Sequence, residues 1–330
     1  DHKVIDKWLF YFTRNSVCEN NPDAAITGRI LSRISSSPTM QVPYMAVHLK
    51  DSRYELLYNP KWLHTDATRE DVLYAMIHEV YHILMKDIPR MLKRYARTPE
   101  EDLKIVKDIY GLGADVQNNG MIEKKFPDMR EAHTLQKCIY PDTYGFKSDR
   151  SMEMYSEAML RYKEEIQEQV QEWQDEYDDD DKSMSENNPL NPMGDPDFDD
   201  MSDLEKTAHA VGSLRRDNQH PWDNGTSKSP GGAGDEEGDG PASPGEIDAM
   251  AEELEEEADR IARKAIQEQE KHYGNVPASL KEEFSGPEPT KTPWEKRLAR
   301  YMKNNLSSKR KTRPTMPKLN QFRLFEINDE

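Results

Sequence analysis

The chain of 330 residues reads as an α+β protein, mostly helical, with one small antiparallel hairpin packed on a central helix. Three observations lead there. Most apolar residues recur at spacings of three and four, the period of a helix with one buried face. Residues 45–58 instead alternate, turn and return, as two paired strands do. One helical stretch, Asp71 to Met85, carries His78-Glu79-Val80-Tyr81-His82 in its middle. Composition then divides the chain into a folded core over 1–174, an acidic low-complexity insert over 175–245 and a helical, basic segment over 246–330.

The elements follow in order. Val4 to Phe12 has the apolar face of a first helix. Pro22 to Ile34 forms a second, with Asn21 as N-cap, Pro22 in the first turn, and Ile26, Ile30, Leu31 and Ile34 along one side. Ser36-Ser37-Pro38 stops it. Met45–Leu49 and Tyr54–Tyr58 make the hairpin, and Asn59-Pro60 breaks the second strand. Its free edge could pair with an extended peptide backbone. His48 and His64, lone histidines here, read as strand or surface residues.

The central helix runs from Thr68 to about Lys86. Thr68 is placed to cap it, and Glu70 and Asp71 stand in its positive first turn. Val72, Leu73, Met76, Ile77, Val80, Ile83 and Leu84 give it a broad apolar surface. Pro89 limits its continuation, and the basic residues Arg90, Lys93, Arg94 and Arg97 fall on a turn or short helix. The next helix opens with Thr98-Pro99-Glu100-Glu101, read as a capping box, and buries Leu103, Val106 and Val116. Gly111 and Gly113 weaken it, which is compensated if another helix comes close at that point. Asp115, Asn118 and Asn119 then project from one side. Residues 121–150 are loop-rich, and Ser151 to Tyr177 reads as one more helix.

Charge is unevenly spread. The net charge is −18, yet residues 164–257 hold 30 acidic and 5 basic residues, so the rest of the chain carries a balance of +7. Such an insert has too little apolar surface to offset chain entropy and is expected to stay disordered, with a short helical island from Met201 to Leu214. It lacks a calcium-loop layout. Beyond it, Gly245 to Tyr273 has a continuous apolar seam that should pack on the body or on a partner. Trp294 to Leu306 is a further helix, within a basic stretch from Lys291 to Arg323. Protein partners through the acidic insert or these C-terminal helices are expected. Nucleic-acid binding is disfavoured, because no aromatic platform is interleaved with the basic residues. Cys18 and Cys138 form no metal-binding pair and are expected to be reduced thiols. No apolar run is long enough for a membrane span. The start has no signal-peptide layout, so a cytoplasmic protein is expected.

The chemistry sits on the central helix. His78 and His82, four residues apart, present two imidazoles to one ion from adjacent turns, and Glu79 can reach a water between them. With nine histidines in the chain, this pattern arises by chance only about 0.03 times. It is the arrangement of a zinc hydrolase, which needs three protein ligands and one open position. The longer pattern with a third histidine is absent, since Met85 and Ile88 occupy its places. Asp115 is the first choice for the third ligand, ahead of Asp108 and Asp87. Zinc would lower the pKa of a water to about 7, and Glu79 would take its proton and pass it to the leaving amine of a peptide or protein substrate. Tyr81, Tyr110, Asn118 and Asn119 are candidate accessory groups. The alternative is a binding or assembly module that keeps zinc without catalysis.

Several of these pieces occur in one order: Tyr58-Asn-Pro-Lys-Trp62, His78-Glu-Val-Tyr-His82, Arg90 and Gly113-Ala-Asp-Val-Gln-Asn-Asn119. Together they resemble the metallopeptidase domain that often precedes a von Willebrand factor A-like domain in bacterial and phage proteins. Trp294 and Arg313-Pro314 are similar to that family's late segment. The resemblance spans roughly residues 25 to 325 and implies a zincin-like fold in a bacterial or phage-infected cell. It implies His78 and His82 as ligands, Glu79 as base and Asp115 as third ligand. Asp87 stands where the family often has a further histidine, and Gly113 where it has alanine. No metal-adhesion motif of an A-like domain follows.

Overall fold

Ile26, Ile30 and Leu31 are buried on α1 (Pro22–Leu31), which follows a helical turn at residues 5–9. The computed structural model describes residues 5–9, 22–50, 53–135, 138–179, 201–217, 244–273 and 276. Asn21, Cys18, the helix expected from Trp294 and the basic stretch from Lys291 lie outside them. All described residues belong to one unit that ends at Pro287.

The alternating stretch forms β2 (Met45–Lys50) and β3 (Arg53–Tyr58), paired antiparallel with Met45 opposite Tyr58 and Lys50 opposite Arg53. The expected sheet needs one correction. Ser35–Pro38 is a third strand, β1, that pairs parallel to β3, so the sheet is mixed, in the order β1-β3-β2. Four residues, three of them serine, carry no hydrophobic period to betray a strand. Pro38 is tolerated because an outer strand does not need every N–H. Ser37 Oγ donates to the buried Glu55 carboxylate at 2.6 Å, which helps hold β1 in place. β2 is the other outer strand, and it lies against the central helix.

Asn59 does more than end β3. Its Oδ1 accepts from the N–H groups of Lys61 and Trp62 and caps a short helix, α2 (Pro60–Thr65), with Pro60 at the first position. The central helix is α3 (Arg69–Leu84). Thr68 and Asp71 close a reciprocal capping box, and Asp71 also accepts the Thr134 N–H at 2.5 Å. At Lys86 the chain turns through a left-handed conformation, φ 57°, into α4 (Asp87–Tyr95). Then comes α5 (Glu100–Lys125). Thr98 is not its cap, contrary to the reading as a capping box. Its hydroxyl donates back to the Arg94 carbonyl at 3.0 Å and closes α4 instead, leaving α5 to start after Pro99 without a side-chain cap.

A four-residue helix, α6 (Met129–Ala132), and a 3-10 turn, Pro141–Tyr144, interrupt the loop that follows. The helix expected over 151–177 is two, α7 (Met152–Leu160) and α8 (Lys163–Asp179), separated by a turn at residues 161–162. α9 (Asp203–Asp217) matches the expected helical island. It is part of the body: Ala208, Ala210 and Val211 are buried in a second core with Ile105, Ile109, Leu112 and Val116 of α5.

α10 (Pro244–Tyr273) joins the main core, packing on α4, α1 and α3. Ile247, Leu254 and Ile261 are at most 2 % exposed, and burial of each stabilises by roughly 1.5–3 kcal/mol. The boundary that composition draws near 246 is therefore no boundary of packing. α5 and α7 touch where the glycines suggested: a Cβ on Gly113 would fall 2.2 Å from Ser156 Oγ and 2.9 Å from the Met152 carbonyl oxygen. No helix among the described residues is long and apolar enough to cross a membrane.

Candidate metal centre

Three side chains from two helices converge. His78 and His82 come from adjacent turns of α3, and Asp115 comes from the middle of α5, which packs across it. His78 Nε2 and His82 Nε2 are 3.0 Å apart, and Asp115 Oδ1 is 3.3 Å from each. They are the one group of three or more potential metal-ligating side chains among the described residues. The His82 side chain is 2 % exposed and that of Asp115 10 %, whereas the His78 side chain keeps 15 %, so the cluster is least covered on the His78 side.

The remote nitrogens decide what the near ones can do. Asn119 donates through Nδ2 to the Ile139 carbonyl at 2.9 Å, which turns its Oδ1 toward His78 Nδ1 at 2.8 Å. That oxygen also accepts the Tyr74 hydroxyl at 2.8 Å. An amide oxygen only accepts, so His78 Nδ1 carries the proton and Nε2 carries a lone pair. His82 Nδ1 lies 3.0 Å from Asp87 Oδ2, which likewise takes a proton from it. Two imidazole lone pairs and a carboxylate oxygen then face one another at about 3 Å, an arrangement that repels itself unless a positive charge stands among them.

Either a proton or a metal ion can supply that charge. Burial pulls the His82 pKa down, but hydrogen bonds to Asp115 and Asp87, with Glu79 and Asp87 charges behind them, outweigh it and raise it to about 10. A proton held on His82 between Asp115 and His78 is the metal-free answer. The donor set also fits a divalent ion. Two imidazoles and a carboxylate are zinc ligands, and donors 2.0–2.1 Å from a tetrahedral ion stand ~3.3 Å apart, close to the 3.0 and 3.3 Å found here.

Asp87, weighed as a ligand from the sequence, stands behind His82 instead. It is fully buried. Its Oδ2 accepts from Asn118 at 2.8 Å, and its Oδ1 from Arg90 at 3.2 Å and Gln117 at 3.4 Å. Arg90 is in turn gripped by both carboxylate oxygens of Glu153. Gln117 Oε1 accepts the Met152 N–H at 2.8 Å, tying the start of α7 to the same network. Asp108, the other alternative, is not in the cluster.

Glu79 is 6 % exposed, and its Oε2 accepts the Val47 N–H of β2 at 2.6 Å. Of the accessory candidates, Asn118 and Asn119 contact the remote nitrogens of His82 and His78. The Tyr110 hydroxyl donates to Glu157 at 2.9 Å, and Tyr81 lines a small crevice with Ile26, Thr27 and Phe126. Four contacts with this site escaped the sequence reading: Tyr74, Val47, Gln117 and Glu153. Tyr74 alone had a readable signal, since it lies one helical turn before His78. The others reach the site through tertiary contacts.

A family model matches residues 44–315, a span that takes in β2, the histidine helix, α5 and α10, and its family is described as a putative metallopeptidase domain. The chain belongs to this family. The metallopeptidase resemblance drawn from the residue patterns is thus shared by a comparison over most of the chain. No curated protein and no solved structure matches. For a metallopeptidase-type domain, the His78–His82–Asp115 cluster is the natural place for a metal ion.

Proposed function

We propose that the protein is a zinc-dependent peptidase, with zinc on His78 Nε2, His82 Nε2 and Asp115. The carrying observation is the convergence of these three acceptors at 3.0–3.3 Å, with the other imidazole nitrogens bonded to Asn119 and Asp87.

Zinc bound there would supply a Lewis acid and a water that ionises near neutral pH. The protein's own residues supply the rest. His78 and His82 are held in the ligating tautomer by Asn119 and Asp87. Glu79, next to His78, takes a proton on its carboxylate and returns it to the amine that leaves when the peptide bond breaks. The outward-facing backbone groups of β2, on Met45, Val47 and Leu49, are buried against the central helix, so a peptide approaches from the His78 side, where the cluster is least covered.

The test is metal analysis of the purified protein together with Glu79→Gln on an unstructured protein substrate. The variant should keep its metal and lose about 10²–10⁴-fold in rate, the usual contribution of a general base. Cleavage by the variant at the wild-type rate would sink the mechanism, and a protein that binds no divalent ion would sink the reading as a whole.

A further inference from the structure

Val47 lies in the middle of β2, opposite Leu56 of β3. Its N–H does not serve the ladder. It donates to Glu79 Oε2 at 2.6 Å, so it points outward from the free edge of the sheet. The contact is buried, with Val47 at 0 % and Glu79 at 6 % exposure. At this length it is a charge-assisted bond, the stronger kind. The other oxygen of Glu79 accepts a hydrogen bond from no described residue. The carboxylate thus has one oxygen fixed and one left over.

We propose that the Val47 amide is the positioning group for the base: it locks Oε2 so that the second oxygen alone receives the proton. A glutamate side chain rotates about several bonds, and its carboxylate can present either oxygen. A backbone amide inside a strand has no rotamers, so it is a rigid anchor. The strand edge therefore orients the group that acts on the peptide. This inference rests on the peptidase reading.

Two measurements test it. The first needs no activity. In the wild type, the Val47 amide proton should resonate downfield and exchange with solvent at least about 10-fold more slowly than in Glu79→Ala, although it lies on an outer edge. Equal exchange in the two proteins overturns the proposal. The second replaces the residue-47 amide by an ester, using the α-hydroxy analogue of valine, which removes the donor and little else. Melting temperature and metal content establish that this protein is folded and loaded. Its kcat should fall about 10–100-fold with KM nearly unchanged, as expected when a reacting group is misplaced by about an ångström. A wild-type kcat in the ester variant overturns the role of Val47 and leaves the peptidase reading standing. A wild-type protein that hydrolyses nothing overturns both.

Discussion

Asp87 Oδ2 lies 3.0 Å from His82 Nδ1, on the side of the ring away from Asp115. A carboxylate there makes Nε2 a stronger donor to a metal and fixes the plane of the ring. Asp87→Asn keeps the shape but gives up the charge. It should lower zinc affinity by about 10–100-fold, as loss of such a partner generally does. Competition against a chelator of known affinity measures this. Unchanged affinity would mean that the remote nitrogen does not matter. Asp87→Ala is a poorer probe, because it strands Arg90, Gln117 and Asn118 in a buried place.

The pH dependence of the metal-free protein has a definite sign. His82 titrates near 10 in the folded chain against an ordinary value of 6.5. Its pKa is raised, so the stability it contributes is fully present below about 6.5 and is lost as pH rises toward 10. After chelator treatment, the melting temperature should fall steadily between those limits. The metal-loaded protein should not share that slope, because zinc takes the place of the proton. At pH 8, zinc uptake should release about one proton from His82, seen as a binding heat that depends on the buffer. A flat melting temperature from pH 6.5 to 10 in metal-free protein would contradict the buried ion pair.

How far the sequence carried this can be judged from single residues. Thr68, the apolar face of α3 and the cluster Asp115, Asn118 and Asn119 obey helical spacing, and spacing survives folding. Asp87 was visible as an acid near the second histidine. Whether it faces Nε2 or Nδ1 depends on the left-handed turn at Lys86, and no pattern announces that. β1 was invisible because its strand character comes from pairing with β3 rather than from its own residues. α9 lies in a stretch read through its charge, which hid small buried residues such as Ala208, whereas the apolar seam of α10 was legible and only its choice between the body and a partner was not. Thr98 fitted a capping box in sequence, but α4 claimed its hydroxyl.

Gly113 tests the contact that brings α7 against the helix of Asp115. Alanine there gains helix propensity of about 1 kcal/mol. Its Cβ would meet Ser156 Oγ at 2.2 Å and the Met152 carbonyl oxygen at 2.9 Å. The side chain can be removed but the carbonyl cannot move alone, so overpacking should win and Gly113→Ala should destabilise by about 1–3 kcal/mol. Adding Ser156→Ala should recover part of the loss, since it relieves the closer clash, and not all, since the backbone clash remains. Denaturant unfolding of the two variants decides it. A single variant more stable than wild type would mean that the helices are free to separate.

The last prediction concerns α10, whose acidic side faces basic groups around α4. Lys86 pairs with Asp259 at 2.8 Å, Lys93 with Glu255 at 2.5 Å and Arg97 with Asp248 at 3.5 Å. The chain's charge asymmetry is thus partly answered inside its own fold. Isolated pairs at a surface contribute only about 0.2–1 kcal/mol, whereas the apolar seam of Ile247, Leu254 and Ile261 contributes several times that. The seam should therefore hold α10 in place when one pair is reversed. Lys93→Glu sets two carboxylates against each other and should cost about 1 kcal/mol, a fall of a few degrees in Tm, without unfolding the protein. Adding Glu255→Lys restores opposite charges and should return most of that loss. In 1 M salt, where screening acts within about 3 Å, the single variant and the wild type should nearly converge. If the double variant stays as unstable as the single one, the Lys93–Glu255 attraction is not what the substitution removed.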